Sequence, residues 1–110
     1  MAKDYPRTPD GRYFVSKSRL WRCTDPRLEE PERRAAVKAL MQARRAVRGA
    51  EGEALAEARA AVDAAKRRLG ERGPVWWDDG APDEGGLHPK NSSYTGWWAA
   101  LSEEAQARGT

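Results

Sequence analysis

Cysteine and histidine are nearly missing from this chain of 110 residues, which has one of each, Cys23 and His88. A single cysteine excludes an internal disulfide and fits a reducing compartment. One cysteine and one histidine fall short of a zinc ligand set. No stretch approaches the ~18 consecutive apolar residues that a membrane-spanning helix needs. Met1 is not followed by a basic and then apolar leader. These absences predict a soluble, cytoplasmic protein with no membrane partner. A Gly-rich phosphate loop, a Cys–His pair at motif spacing and a nucleophile elbow are also absent. The expectation is therefore a noncatalytic protein with no cofactor.

What is present is unevenly placed. Residues 1–28 carry seven Lys/Arg against three Asp/Glu, and residues 73–110 carry two against six. The ends are thus oppositely charged, and the basic end has a possible electrostatic partner within the chain. The net charge of +3 is accordingly a weak pointer to nucleic acid. Aromatics are segregated in the same way. Tyr5, Tyr13, Phe14 and Trp21 lie near the start, Trp76, Trp77, Tyr94, Trp97 and Trp98 lie near the end, and the middle has none. Aromatic side chains dominate small cores. The pattern predicts that head and tail meet around shared rings, while the alanine-rich middle packs on itself.

Taken in order, residues 1–10 read as a loose arm with two prolines. Residues 12–23 read as a β-hairpin: Arg12–Val15 and Arg19–Cys23 are β-prone, and Ser16-Lys17-Ser18 is the turn. Residues 31–48 form a first helix, opened by Pro31, with a stripe of Ala36, Leu40, Ala43 and Val47. Residues 51–69 form a second, with a stripe of Leu55, Ala58, Val62, Ala65 and Leu69. Gly49 and Gly52 mark a turn between them. A continuous helix through both glycines would cost about 1 kcal/mol at each and leave both stripes unburied. Folded back, the two stripes pair Val47 with Leu55, Ala43 with Ala58, Leu40 with Val62 and Ala36 with Ala65. Acids open each helix and bases close it, as the helix dipole favours. Residues 73–91 form a Trp/Asp/Gly-rich loop. Residues 93–105 form a third helix, capped by Ser92, with Tyr94, Trp97, Trp98, Leu101 and Ala105 on one face, and residues 106–110 fray. The predicted fold is one α+β domain, mainly α. An antiparallel helical hairpin carries a short N-terminal β-hairpin and a C-terminal amphipathic aromatic helix.

Three segments carry a resemblance. They are Asp10-Gly11-Arg12-Tyr13, Arg19-Leu20-Trp21-Arg22-Cys23, and the run from Gly70 through Trp76-Trp77-Asp78-Asp79-Gly80-Ala81-Pro82-Asp83. Together they resemble the signature segments of a group of small uncharacterised bacterial proteins, some labelled Tol-type biopolymer transporters. The resemblance implies a small bacterial protein and transfers no catalytic residue. No apolar run of membrane-spanning length accompanies the transporter label.

Four kinds of site can be weighed. Asp78, Asp79, Asp83, Glu84 and His88 put carboxylates close together, which attracts hard cations, but the spacing matches no calcium loop. Docking of Arg12, Arg19 and Arg22 explains the same acids, and no metal is predicted. His88 with Asp83 is the one acid–base pair on offer, against the commoner role of a loop histidine as a polar surface residue. Lys17, Arg19 and Arg22 beside Trp21, with Arg34, Lys38 and Arg45 on the outer arc of the first helix, offer phosphate and base contacts. The glutamates across the helical pair dilute that field. The favoured reading is an interaction module for an unidentified protein or peptide. Five tryptophans in a chain of this size exceed what a small core obviously needs, and tryptophan is a common interface anchor. In an extended Trp76-Trp77 pair one ring enters the core and the other lines a groove. Trp76, Trp77, Asp78, Asp79, Asp83 and His88 are then the binding residues, and a basic peptide fits the acids.

Overall fold

A computed structural model describes residues 4–110 of the chain. They gather into two compact units. One is contiguous, Thr24–Asp78, and the other joins the segment ending at Cys23 to Asp79–Thr110.

The contiguous unit is the expected helical hairpin. Helix α1 spans Glu30–Gly49 and α2 spans Gly52–Arg68. Pro31 lies in the first turn of α1, where its missing N–H leaves no bond unmade. The apolar stripes face each other. Ala36, Leu40, Ala65 and Leu69 form the buried cluster, flanked by Leu28, Val37, Ala39 and Val62. Ala43 and Ala58 continue the buried seam towards the turn. Alanine at both positions lets the helices approach closely there. Only Ala50 and Glu51 separate the helices, and Gly52 has φ of +59°. Among the charged side chains, Arg34 and Arg67 bond Glu30 and Asp63 one turn away, at 3.1 and 2.8 Å. Arg33 also takes Glu30, at 2.5 Å.

Helix α2 ends in a Schellman motif. The Glu71 N–H donates to the Lys66 carbonyl at 2.9 Å, and the Gly70 N–H donates to the Arg67 carbonyl at 3.1 Å. Gly70 takes φ of +76°, the left-handed conformation this cap requires. A Cβ there would lie 2.9 Å from Asp25 Cβ and 3.1 Å from Trp76 Cδ1, so a glycine also permits the close approach. The returning chain is tied by the Asp25 N–H to the Leu69 carbonyl at 2.8 Å and by Thr24 Oγ1 to Glu71 at 2.8 Å.

The second unit is built on a hairpin of β1, Tyr13–Ser16, and β2, Arg19–Arg22. Tyr13 pairs with Arg22, Phe14 with Trp21, Val15 with Leu20 and Ser16 with Arg19. Strand periodicity sends Tyr13, Val15, Leu20 and Arg22 to the buried face, and Phe14, Ser16, Arg19 and Trp21 to the other. The loop is shorter than the three-residue turn expected: only Lys17 and Ser18 lie outside the strands, with φ of +54° and +62°.

Both edges of this hairpin are covered. The Val15 N–H donates to the Pro6 carbonyl and the Thr8 N–H to the Tyr13 carbonyl, each at 2.9 Å. On the opposite edge, the Leu20 N–H donates to the Leu87 carbonyl and the Gly86 N–H to the Leu20 carbonyl, each at 2.8 Å. The loose-arm expectation is corrected here: Pro6 and Thr8 are buried and paired, because an open strand edge provides partners for their backbone. Residues 1–3 of that expected arm lie outside the described residues.

The expected third helix is also corrected. A 3-10 turn at Pro89–Asn91 precedes two short helices, α3 over Thr95–Ala100 and α4 over Glu103–Gly109. Leu101 is extended, and Ser102 caps α4 by accepting the Ala105 N–H at 3.1 Å. Residues 106–109 lie in α4 rather than fraying: Gly109 is buried, and its carbonyl accepts the Ser18 N–H at 2.8 Å. Ser92, expected as a helix cap, instead accepts the Tyr94 N–H and donates to the Pro89 carbonyl.

Candidate binding surfaces

The Trp/Asp/Gly-rich loop divides between the units. Trp76, Trp77 and Asp78 belong to the contiguous one, and Asp79, Asp83 and His88 to the other. Trp77 is buried and Trp76 half-buried, their rings edge to face at 5.1 Å, and Asp78 is exposed. The two adjacent tryptophans thus have unequal burial, but their rings touch each other rather than pointing to opposite faces as an extended pair would.

The carboxylates of the second segment are engaged in joining head to tail. Asp79 takes the Arg12 guanidinium and also accepts the Ala81 N–H. The Arg12 bond first, then the backbone bond, hold its carboxyl below the usual range. Asp83 takes Arg22 at 2.8 Å and accepts the Gly85 N–H at 2.9 Å. The Arg22 side chain is only 5 % exposed, so this pair secures a charge on the hairpin's inner face. Glu84 donates its N–H to the Tyr13 hydroxyl at 2.8 Å and accepts both the N–H and hydroxyl of Ser93. Tyr94 donates to Asp10 at 2.6 Å and meets the Tyr13 ring at 5.6 Å. His88 accepts the Lys90 N–H through Nδ1 at 3.1 Å and stands edge to face with Trp98 at 5.9 Å. It caps the 3-10 turn. Among the described residues, no group of three or more His, Cys, Asp and Glu is arranged to hold a metal ion.

The basic candidates separate similarly. Lys17 and Arg19 are exposed at the hairpin turn and on its outer face, whereas Arg22 is buried. Arg34, Lys38 and Arg45 are exposed on α1, with Arg34 bonded to Glu30.

The outer face of the hairpin holds a constellation that the sequence reading dispersed. Phe14 faces Trp21 across the strands. The Tyr5 ring lies 5.6 Å from the Phe14 ring, and Arg7 pairs opposite Phe14 in an isolated bridge. Asp4, Tyr5, Arg7 and Phe14 line a cleft of about 210 Å³. Trp21 is 39 % exposed, and its Nε1 donates to the Ser16 carbonyl at 2.7 Å, which lays the indole along the strands. Three aromatics and the cations Arg7, Lys17 and Arg19 therefore occupy one small region. The signal available in the sequence was the alternation of Tyr5 and Arg7, obscured by Pro6 and Pro9.

No protein-family model, curated protein or solved structure matches this chain. The chemistry of its surfaces is thus the available guide to function. No helix among the described residues is long and apolar enough to cross a membrane.

Proposed function

We propose that this chain is a noncatalytic binding module whose β-hairpin presents its outer face to an acidic, aromatic-bearing segment of a partner protein. The observation that carries the reading is the partly exposed Trp21 beside Phe14, on the face opposite the hairpin's buried side chains. A flat indole supplies a large contact area at low entropic cost and is a frequent interface anchor. Arg7, bridged to Phe14, and Arg19, on the face of Trp21, with Lys17 in the adjoining turn, add positive charge suited to carboxylates. Since both strand edges are covered, recognition runs through side chains rather than by adding a strand. The Trp/Asp-rich loop takes a narrower part in this reading. Asp79 and Asp83 join Arg12 and Arg22, so the basic-peptide groove reduces to Trp76 and Asp78.

A second reading, single-stranded nucleic acid, draws on the same juxtaposition of exposed cations and rings. Fluorescence anisotropy of a labelled acidic peptide containing aromatic residues, set against a labelled oligothymidylate, separates the two. The expected result is saturable peptide binding, weakened by about 30-fold in Trp21→Ala, as for an interface anchor. Tighter binding of the oligonucleotide, with affinity falling steeply as salt rises, favours the second reading. Peptide binding unchanged in Trp21→Ala sinks the first.

A further inference from the structure

The helical hairpin carries a cleft that the proposed function does not use. Arg44 and Val47 of α1, Arg59 and Val62 of α2, and Arg72 beyond α2 line a volume of about 390 Å³. That lies within the range of small-ligand pockets, roughly 300–1,000 Å³. Each helix contributes an arginine and a valine three positions apart, which places them as neighbours on one helical face. The valines supply apolar lining and the arginines supply charge.

The electrostatics of this cleft are unbalanced. Arg72 bonds Asp63 at 3.1 Å, and Asp63 also takes Arg67. Arg44 and Arg59 make no ion pair or side-chain hydrogen bond among the described residues. Lys66 stands within the same field. Its ammonium is pushed below the usual lysine range by burial first, then by the charges of Arg72 and Arg44, with Glu71 acting in the opposite sense. Cations are therefore gathered around a partly apolar hollow with few carboxylates to offset them, and a bound anion would relieve their repulsion.

We propose that this cleft binds a small organic anion, a phosphate or carboxylate attached to an apolar group. Guanidinium forks match the oxygens of both anions in paired hydrogen bonds. The valines distinguish such a ligand from a bare inorganic ion. The size of the cleft selects a small molecule rather than a polymer.

Calorimetric titration at low ionic strength tests this with phenyl phosphate and benzoate, using inorganic phosphate and benzyl alcohol as single-feature controls. At least one aromatic anion should bind saturably at one site, about fivefold or more tighter than either control, through apolar contact added to charge. The better of the two identifies phosphate or carboxylate as the preferred group. Arg59→Gln and Arg44→Gln should each weaken that ligand by about tenfold, the loss of a charged hydrogen bond. Arg45→Gln, on the same helix outside the cleft, should leave it unchanged. Saturable binding by neither aromatic anion overturns the proposal. So does equal binding of a control, or equal weakening by Arg45→Gln. Far-ultraviolet circular dichroism verifies that each variant retains its helices. Should either cleft variant lose them, Arg59→Lys and Arg44→Lys replace it, keeping the charge but removing the fork, and affinity unchanged in both overturns the proposal.

Discussion

Asp10 and Tyr94 are 84 positions apart, yet the tyrosine hydroxyl donates to the carboxylate at 2.6 Å. Burial alone would raise the Asp10 carboxyl, but bonds from Tyr94, Thr8 and the Arg12 backbone outweigh it and leave it below its ordinary 3.8. Burial first, then the bond to Asp10, push the Tyr94 phenol well above its ordinary 10.0. The hydroxyl is therefore a donor, and the carboxylate an acceptor, across the neutral range. Both signs follow from linkage. Asp10, lowered on folding, stabilises above pH 3.8, and this contribution is lost as pH falls through its folded value. Tyr94, raised on folding, stabilises fully below pH 10.0, and its contribution is lost as pH rises beyond that. Tyr94→Phe keeps the ring contact with Tyr13 and removes only the hydroxyl. It is expected to cost roughly 1 kcal/mol near pH 7, a charged hydrogen bond discounted for partial exposure. Urea unfolding of both proteins across pH checks this. The difference should be widest at neutral pH and shrink as pH falls below 3.8 and as it rises above 10.0, as the two linked groups titrate. A pH-independent difference would show that the hydroxyl acts through packing alone.

The elements differ in how plainly the chain announces them. The helical pair was legible because Ala36, Leu40 and Ala43 facing Ala58, Val62 and Ala65 repeat at helical spacing over several turns, with glycines between the stripes. The hairpin strands were legible from alternation. Its turn was less so, because Lys17 and Ser18 lack the Asn-Gly signature of a two-residue loop with positive φ at both positions. The break between α3 and α4 was missed because Tyr94 through Ala105 form a stripe that continues across it. The local signal against continuation was Ser102 followed by Glu103 and Glu104, a capping serine with acids in the next turn. The same physics makes the hairpin turn improvable. A non-glycine residue in the left-handed region costs roughly 1–2 kcal/mol, and the native loop places two there. Replacing Lys17 and Ser18 by Asn and Gly should stabilise the protein by about 1 kcal/mol, since the Ser18 N–H bond to Gly109 is a backbone bond that glycine retains. Thermal unfolding of the Lys17→Asn, Ser18→Gly double variant should show a higher midpoint. A lower one would mean that the native side chains contribute more than the strain they impose.

Across the whole molecule, opposite terminal charge and segregated rings indicated correctly that head and tail join. Arg12 with Asp79, Arg22 with Asp83, and Tyr13 with Tyr94 are the contacts that accomplish it. The place where one unit ends was not legible, because the boundary between Asp78 and Asp79 falls inside a run of like residues. Docking of the loop acids on Arg12 and Arg22 was legible from their opposite charge, but not that Arg19 would stay outside it, which depended on the face each arginine of β2 occupies. This division sets an order for folding. The helical hairpin is contiguous, and its seam closes across a turn of two residues. The other unit depends on bonds spanning 61 positions from Arg22 to Asp83 and 71 from Tyr13 to Glu84. Closing longer loops costs more chain entropy before any contact is gained, and nonlocal topology slows folding. Pulse-labelled hydrogen exchange during refolding should therefore find amides of α1 and α2 protected before the backbone bonds between β1 and residues 6–8, or between β2 and residues 86–87. Asp83→Asn removes the carboxylate paired with Arg22 and should delay or weaken protection at β1 and β2 while leaving α1 and α2 unchanged. Simultaneous protection of both sets, equally affected by Asp83→Asn, would mean that the two units fold as one.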